Sequence, residues 1–223
     1  MSIRSAADET RPPGRPYPVD RLAFIGNVHR LIARGYDRVA RHVCCRADEN
    51  FLNQVLITAL RATVEDPGAP PWAIHFSIHE KRKQNDGQRI GNARLELDIV
   101  LERTGRGTRP LFIIEAKRLG PNHPVKIYLG SEGLGAFLSG EYAPEHDDAG
   151  MLGYVQSKTV SRWCNSLAGE LSESPGRHDV EPDGKWRRQA FLSGTKETFR
   201  TRHARSGGRG PITIYHTLLD FTA

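Results

Sequence analysis

Residues 94–118, RLELDIVLERTGRGTRPLFIIEAKR, decide how the rest of the chain is interpreted. Two apolar runs, Leu95–Leu101 and Leu111–Ile114, flank a loop of Gly, Arg and Thr, a pattern typical of two strands joined by a long hairpin turn. The charged residues inside or directly beside these runs are Glu96, Asp98, Glu115 and Lys117. Charges in a buried strand cost free energy unless their surroundings compensate for them. We therefore expect this hairpin to carry a functional site.

The composition favours one basic domain. The chain has 223 residues, and we assign 19–223 to a single domain. Residues 1–18 contain four prolines and few apolar side chains, which predicts a flexible N-terminal tail. There are 32 Lys+Arg against 26 Asp+Glu, a formal net charge of +6. Because a basic surface neutralises phosphates, this balance favours a polyanionic partner such as nucleic acid.

The cysteines and the apolar runs bear on the compartment. The three cysteines include the adjacent pair Cys44 and Cys45 and have no metal-ligand spacing, which favours a reducing environment. No apolar run reaches the roughly 20 residues of a membrane span, and the N-terminus lacks the apolar core of a signal peptide. We expect a cytoplasmic protein that has no membrane partner.

The hydrophobic periodicity predicts helices first, then strands alternating with helices. Asp20 is the expected N-cap of the first helix, and Gly35 is expected to end or kink it. Ser157 or Thr159 is expected to cap the last helix. The other predicted elements are a helix at 47–64, a strand at 72–80, the hairpin, a helix at 125–142, a strand at 150–156, and terminal strands at 191–192, 198–202 and 212–221. This order predicts an α/β domain with a mixed central sheet and helices on both faces.

Strand alternation brings the charges together. If the hairpin strands pair, Asp98 faces Glu115 across the ladder, with Lys117 on the same face as Glu115. Carboxylate and carbonyl oxygens are ligands for Mg²⁺, so Asp98, Glu115 and the carbonyl of Ala116 are candidate metal ligands. Lys117 would then orient a water or stabilise a charged transition state. Glu96 shares the face of Asp98 and is the second-choice ligand.

Asp98 followed by Glu115-Ala116-Lys117 at the end of an apolar run resembles the motif of the PD-(D/E)XK nuclease superfamily. The resemblance covers about residues 48–171 and implies a restriction-endonuclease-like fold, built on a four-stranded mixed sheet. It also implies hydrolysis of phosphodiester bonds with Mg²⁺ or Mn²⁺. Glu49 matches an acidic residue that many members carry on a helix before the sheet, and Gln156, with Tyr154 as its neighbour, matches a position near the site. Leu97 stands where many members have proline.

Arginines are candidates for phosphate contacts. The candidates are Arg103, Arg106 and Arg109 in the hairpin loop, and Arg200 and Arg202 in a C-terminal strand. The leading hypothesis is a nuclease that acts on DNA, in bacterial defence or repair. The alternative is a module with the nuclease fold that binds nucleic acid without turnover. The sequence shows no separate DNA-recognition domain, which is compatible with a homodimer or a partner subunit. The sequence does not distinguish DNA from RNA as the substrate, or endonucleolytic from exonucleolytic cutting.

Overall fold

The computed structural model describes residues 18–40, 43, 45–83, 95–105, 109–191 and 197–222. The helices in this part of the chain are α1 (Pro18–Val39), α2 (Glu49–Glu65), α3 (Val125–Tyr128), α4 (Leu134–Leu138) and α5 (Val160–Glu173), with short 3₁₀ helices at Ala73–His75 and Pro175–His178. The strands are β1 (Phe76–Lys83), β2 (Glu96–Arg103), β3 (Leu111–Leu119), β4 (Asp148–Val155), β5 (Arg187–Arg188), β6 (Thr198–His203) and β7 (Ile212–Asp220).

These seven strands form one mixed sheet in the order β1-β2-β3-β4-β7-β6-β5. The pairs β3–β4 and β4–β7 are parallel, and the other neighbours are antiparallel. The sheet is larger than the four strands that the family resemblance implied, because β5, β6 and β7 extend it beyond β4. The general α/β prediction is confirmed.

Helices cover both faces of the sheet, as predicted. On one face α1 and α2 pack on residues such as Ile99, Ile114 and Tyr154. On the other face α3, α4 and α5 pack on residues such as Val100 and Met151. Successive strand residues point to opposite faces, so strands buried on both sides read as continuous apolar runs. The β2–β3 hairpin lies between these two cores.

Several local predictions need correction. Helix α1 begins at Pro18, one residue inside the predicted tail, so Asp20 is not its N-cap; residues 1–17 lie outside the described part. The helix also runs through Gly35 without ending there. A Cβ at Gly35 would lie 2.7 Å from Cδ2 of Leu60, so this glycine allows the close approach of α1 and α2.

The helix predicted at 125–142 is two short helices, α3 and α4. The chain turns between them at Gly133. The backbone there passes so close to Tyr128 that a Cβ would lie 2.2 Å from its carbonyl oxygen, so this turn requires glycine. The predicted strand at 72–80 begins with a 3₁₀ turn at Ala73–His75 and runs on to Lys83. Phe191 lies outside the strands.

Side-chain caps begin two of the helices. Asp48 caps α2 by accepting from the amide of Phe51, and Thr159, one of the two predicted candidates, caps α5 by accepting from the amide of Arg162. Within the described residues, no helix combines the length and the hydropathy that a membrane crossing requires.

Candidate functional site

The hairpin register brings the two predicted carboxylates together. Val100 pairs with Ile113 and Ile99 with Ile114, so Asp98 comes opposite Glu115 at the next position of the same register. The amide of Ala116 donates to Oδ2 of Asp98 at 3.0 Å, which fixes this carboxylate against the edge of β3. β2 starts at Glu96, so Asp98 lies near one end of the strand and not in its middle.

Lys117 and Glu49 complete a cluster of four charges. Nζ of Lys117 lies 2.6 Å from Oε1 of Glu115 and 3.1 Å from Oε1 of Glu49. Oε2 of Glu49 accepts from the amide of Arg118 at 3.2 Å. Glu49 is the first residue of α2, so the helix start is joined to the end of β3. We call Glu49, Asp98, Glu115 and Lys117 the carboxylate cluster.

The cluster is electrostatically strained without a further cation. Burial raises the pKa of Asp98 above its ordinary value. Burial, and then the charge of Asp98, raise the pKa of Glu115 to about 8. Burial works against the ammonium of Lys117, but the charge of Glu115 and its hydrogen bond outweigh this effect and raise the Lys117 pKa. At neutral pH the lysine is therefore a charged donor, whereas Glu115 is near its own titration point.

Tyr154 lies on the adjacent strand β4 and Gln156 directly follows it, but both side chains bond elsewhere. Nε2 of Gln156 donates to the carbonyl of Ala47 at 2.6 Å, just before α2. The hydroxyl of Tyr154 donates to Oδ1 of Asn53 at 2.7 Å, in the interior. Both contacts join β4 to α2, and through α2 they set the position of Glu49. Gln156 therefore helps to hold the start of α2, which carries Glu49 of the cluster.

Sequence reasoning missed two residues here. Asn53 is buried within the apolar face of α2, and a polar residue at such a position is a signal that a partner exists. Tyr142 follows α4, and its pKa is raised to about 12, first by burial and then by the charges of Glu115 and Asp98. Nothing in the local sequence around Tyr142 indicated that it lies near the cluster.

Of the hairpin-loop arginines, Arg103 and Arg109 lie at the opposite end of β2 from Asp98. Arg103 is five residues from Asp98, which is about 17 Å along an extended strand. Arg109 lies 3.8 Å from Oε1 of Glu102, and Arg106 lies outside the described residues. The structure does not bring Arg103 or Arg109 together with the carboxylate cluster.

Arg200 and Arg202 lie on the other face of the sheet. Paired residues share a face, and the register through β4 and β7 leads from Glu115 to Phe199. Arg200 and Arg202 alternate with Phe199 and so point away from the face of Glu115. Nε of Arg202 also donates to Glu181 at 2.6 Å. The structure therefore places these two arginines on the face of the sheet opposite Glu115.

The chemistry of the donor set fits a hard divalent cation. Asp98 and Glu115 supply carboxylate oxygens, of which Glu115 is buried and Asp98 half-buried, and the amide of Ala116 donates to Asp98. Two facing carboxylates with raised pKa values are a pair that a cation would stabilise. Within the described residues no three His, Cys, Asp or Glu side chains form a group able to hold a metal ion, so a third donor must come from the backbone or from solvent.

Comparisons with protein-family models, with curated proteins and with solved structures gave no match. Functional inference on this chain therefore depends on the geometry and chemistry of its own residues.

Proposed function

We propose that this protein is a metal-dependent nuclease of the PD-(D/E)XK type that hydrolyses phosphodiester bonds, most readily in DNA. The observation that supports the proposal is the meeting of Asp98, Glu115 and Lys117 at one end of the β2–β3 hairpin. The order α2, β1, hairpin, α3 and α4, β4, α5 is compatible with a restriction-endonuclease-like core. The basic composition is compatible with a polyanionic substrate.

Asp98 and Glu115 are the residues that would hold Mg²⁺ or Mn²⁺, with the carbonyl of Ala116 as a further donor. When bound, such an ion supplies Lewis-acid stabilisation of phosphate charge and activation of a water molecule. Both carboxyl groups must be deprotonated for this role. Because the pKa of Glu115 is about 8, cation binding and proton release are coupled in this site.

Lys117 binds and stabilises the phosphate in this proposal. Its ammonium is fully charged at neutral pH, which makes it a hydrogen-bond donor and not a proton acceptor. Glu49 and Glu115 hold Nζ in place from two sides, at 3.1 and 2.6 Å. A positioned cation of this kind acts where negative charge develops in the transition state.

A second candidate is a module that binds nucleic acid without turnover. The observation that favours it is the ion pairing within the cluster itself, since Lys117 already neutralises part of the carboxylate charge. The two candidates differ in one measurable property, the hydrolysis of bound nucleic acid.

The test is hydrolysis of single- and double-stranded DNA and of RNA, with Mg²⁺ or Mn²⁺, by wild type, Asp98→Asn and Lys117→Met. Glu96→Gln is the matched control, because Glu96 is an exposed carboxylate two residues before Asp98 on the same strand. We expect at least ~100-fold slower hydrolysis in the first two variants, the scale of losing one transition-state contact. The control should stay within about twofold of wild type, since it touches none of the four charges.

Absence of hydrolysis with every substrate would overturn the nuclease proposal, as would an equal loss of rate in Glu96→Gln. Tight binding without hydrolysis would favour the second candidate.

A further inference from the structure

Arg118 lies beside the carboxylate cluster, and one of its side-chain nitrogens has no hydrogen-bond partner. Its amide donates to Glu49, which also binds Lys117. Nε of Arg118 is buried and has no hydrogen-bond partner, and within the described residues no carboxylate forms an ion pair with its guanidinium. Arg118 as a whole is only half-buried. A cation beside the cluster that has no carboxylate partner among the described residues can bind an anion from outside this chain.

Strand alternation gives Arg118 a different direction from Lys117. The two residues are consecutive in β3, so their side chains leave the strand on opposite faces. Arg118 pairs in register with Tyr154, whose hydroxyl bonds Asn53 of α2, so Arg118 lies on the α2 side of the sheet. The end of β3 thus presents a cation on each of its faces.

A tight turn brings His123 to the same place. Gly120 and His123 exchange two backbone hydrogen bonds, of 3.2 and 3.0 Å, which close a turn directly after β3. The pKa of His123 is lowered, first by partial burial and then by the positive charge of Arg118, while the charge of Glu49 opposes the shift. His123 is therefore close enough to Arg118 and Glu49 to feel both charges.

We propose that Arg118 and His123 bind a substrate phosphate next to the carboxylate cluster. The inference rests on the proposed function, because it takes the ligand to be a phosphate of a nucleic acid strand. A guanidinium offers a planar fork of donors that matches two phosphate oxygens, and an imidazole N–H adds one further donor. A phosphate in this position supplies the anionic partner that Arg118 lacks among the described residues. It also brings the polyanion to an edge where three carboxylates would otherwise repel it.

The test measures the affinity of a fluorescently labelled DNA duplex, by anisotropy, over a range of salt concentrations. The proteins are wild type, Arg118→Gln, Arg118→Lys and His123→Gln. Arg162→Gln is the matched control, since Arg162 is an exposed arginine on α5 and the same charge is removed. The thermal midpoint of each variant is measured beside the affinity, and KM and kcat are measured with the same duplex.

We expect Arg118→Gln to weaken binding about 10- to 100-fold, the range for losing a charge-assisted hydrogen bond. Its plot of log affinity against log salt should be shallower by about 0.9, the value for one phosphate contact on duplex DNA. Arg118→Lys should recover the salt slope but only part of the affinity, because the charge returns without the fork. His123→Gln should weaken binding about two- to tenfold, and the effect should appear in KM more than in kcat.

The outcomes separate this inference from the proposed function. If wild type cleaves DNA but Arg118→Gln and His123→Gln match Arg162→Gln in affinity, salt slope and KM, the phosphate site is overturned and the nuclease proposal stands. If wild type binds DNA without cleaving it and Arg118→Gln lowers the salt slope, the phosphate site stands and the nuclease proposal falls. Failure of wild type to bind any nucleic acid overturns both.

Discussion

Two regions of this protein that contain buried polar groups differ in charge, because one is built from charged side chains and the other from neutral ones. One is the carboxylate cluster at the end of the hairpin. The other, which we call the β6–β7 polar network, consists of Tyr128, Thr201, His203 and His216. Nδ1 of His203 lies 2.7 Å from the carbonyl oxygen of His178, and Oγ1 of Thr201 lies 2.6 and 2.8 Å from Nε2 of His203 and of His216. The hydroxyl of Tyr128 lies 3.1 Å from Nδ1 of His216.

One assignment of protons satisfies the whole network with neutral imidazoles. The hydroxyl of Tyr128 donates to His216, His216 donates to Thr201, Thr201 donates to His203, and His203 donates to the carbonyl of His178. Burial lowers the pKa of His203 to about 4 and also lowers that of His216, which agrees with neutral rings. Each polar atom in this chain of contacts has its partner inside the protein.

The carboxylate cluster lacks this completeness. Its two facing carboxylates have raised pKa values, and Nε of the neighbouring Arg118 has no acceptor. Both regions contain buried polar groups, so burial alone does not mark a functional site. The difference lies in charge, because the network consists of neutral groups whereas in the cluster three carboxylates lie beside a single lysine. The network fits a structural role, and the cluster fits a site that a cation and a phosphate complete.

The largest expected difference concerns stability after the loss of one partner. Lys117→Met leaves Glu115 buried without its counter-charge and should lower the free energy of unfolding by about 3–5 kcal/mol above pH 8. Chemical denaturation measures this loss, with the exposed Lys126→Met as control. The double variant Glu115→Gln/Lys117→Met should recover part of the stability. A loss no larger than that of Lys126→Met would show that the pair contributes little.

A smaller effect is expected in the network. Thr201→Val removes the hydroxyl that bridges two imidazoles and should cost about 1–3 kcal/mol, because buried ring nitrogens lose their partner. Thr222→Val, at an exposed hydroxyl, should change stability by about 0.5 kcal/mol or less. The rate of DNA hydrolysis per folded molecule should be unchanged in Thr201→Val. A large loss of rate in this variant would show that the network also takes part in the reaction.

The two regions also predict opposite dependences on pH. The folded pKa of His203 lies below the unfolded value near 6.5, so its contribution to stability is present above pH 6.5 and is lost as the pH falls toward 4. The folded pKa of Glu115 lies above its unfolded value near 4.5, so its contribution is present at low pH and is lost as the pH rises through about 8.

Glu115→Gln should remove the loss of stability at alkaline pH and leave the loss of stability at acid pH in place. Between pH 6 and 9 the free energy of unfolding of the variant should rise relative to that of wild type by on the order of 1 kcal/mol or more, since one pKa unit corresponds to about 1.4 kcal/mol. Urea denaturation at a series of pH values gives both profiles. Parallel curves for the two proteins would mean that Glu115 does not titrate in this window.

The smallest expected effect is stabilisation by the cation. Mg²⁺ at ten times its dissociation constant should stabilise the folded state by about 1.4 kcal/mol, which raises the thermal midpoint by roughly 3–6 °C for a domain of this size. Asp98→Asn should not respond, whereas Glu96→Gln should respond like wild type. The shift should be larger at pH 8 than at pH 6, because protons compete with the cation at Glu115. Equal shifts in Asp98→Asn and wild type would place the cation elsewhere.

The hairpin was predictable because its information is local. Apolar residues on both faces of LDIVL and LFIIEA require strands buried on two sides, and strand alternation then puts Asp98 opposite Glu115. The cap residues Asp48 and Thr159 were also within reach of local reasoning, since a capping side chain binds an amide three residues ahead. The role of Gly35 was not predictable in this way, because this glycine is needed for a close contact with another helix, which the local sequence does not show.

The sequence by itself determined the class of the fold and the pairing of Asp98 with Glu115 and Lys117, because strand periodicity acts over a few residues. The tertiary structure decided the rest. It joined Glu49 to Lys117 over 68 positions and tied Gln156 to Ala47 over 109. It turned Arg200 and Arg202 to the face opposite Glu115, and it left Nε of Arg118 without a hydrogen-bond partner beside the cluster. Such contacts depend on how helices and strands pack across the sheet, and no local pattern encodes that packing.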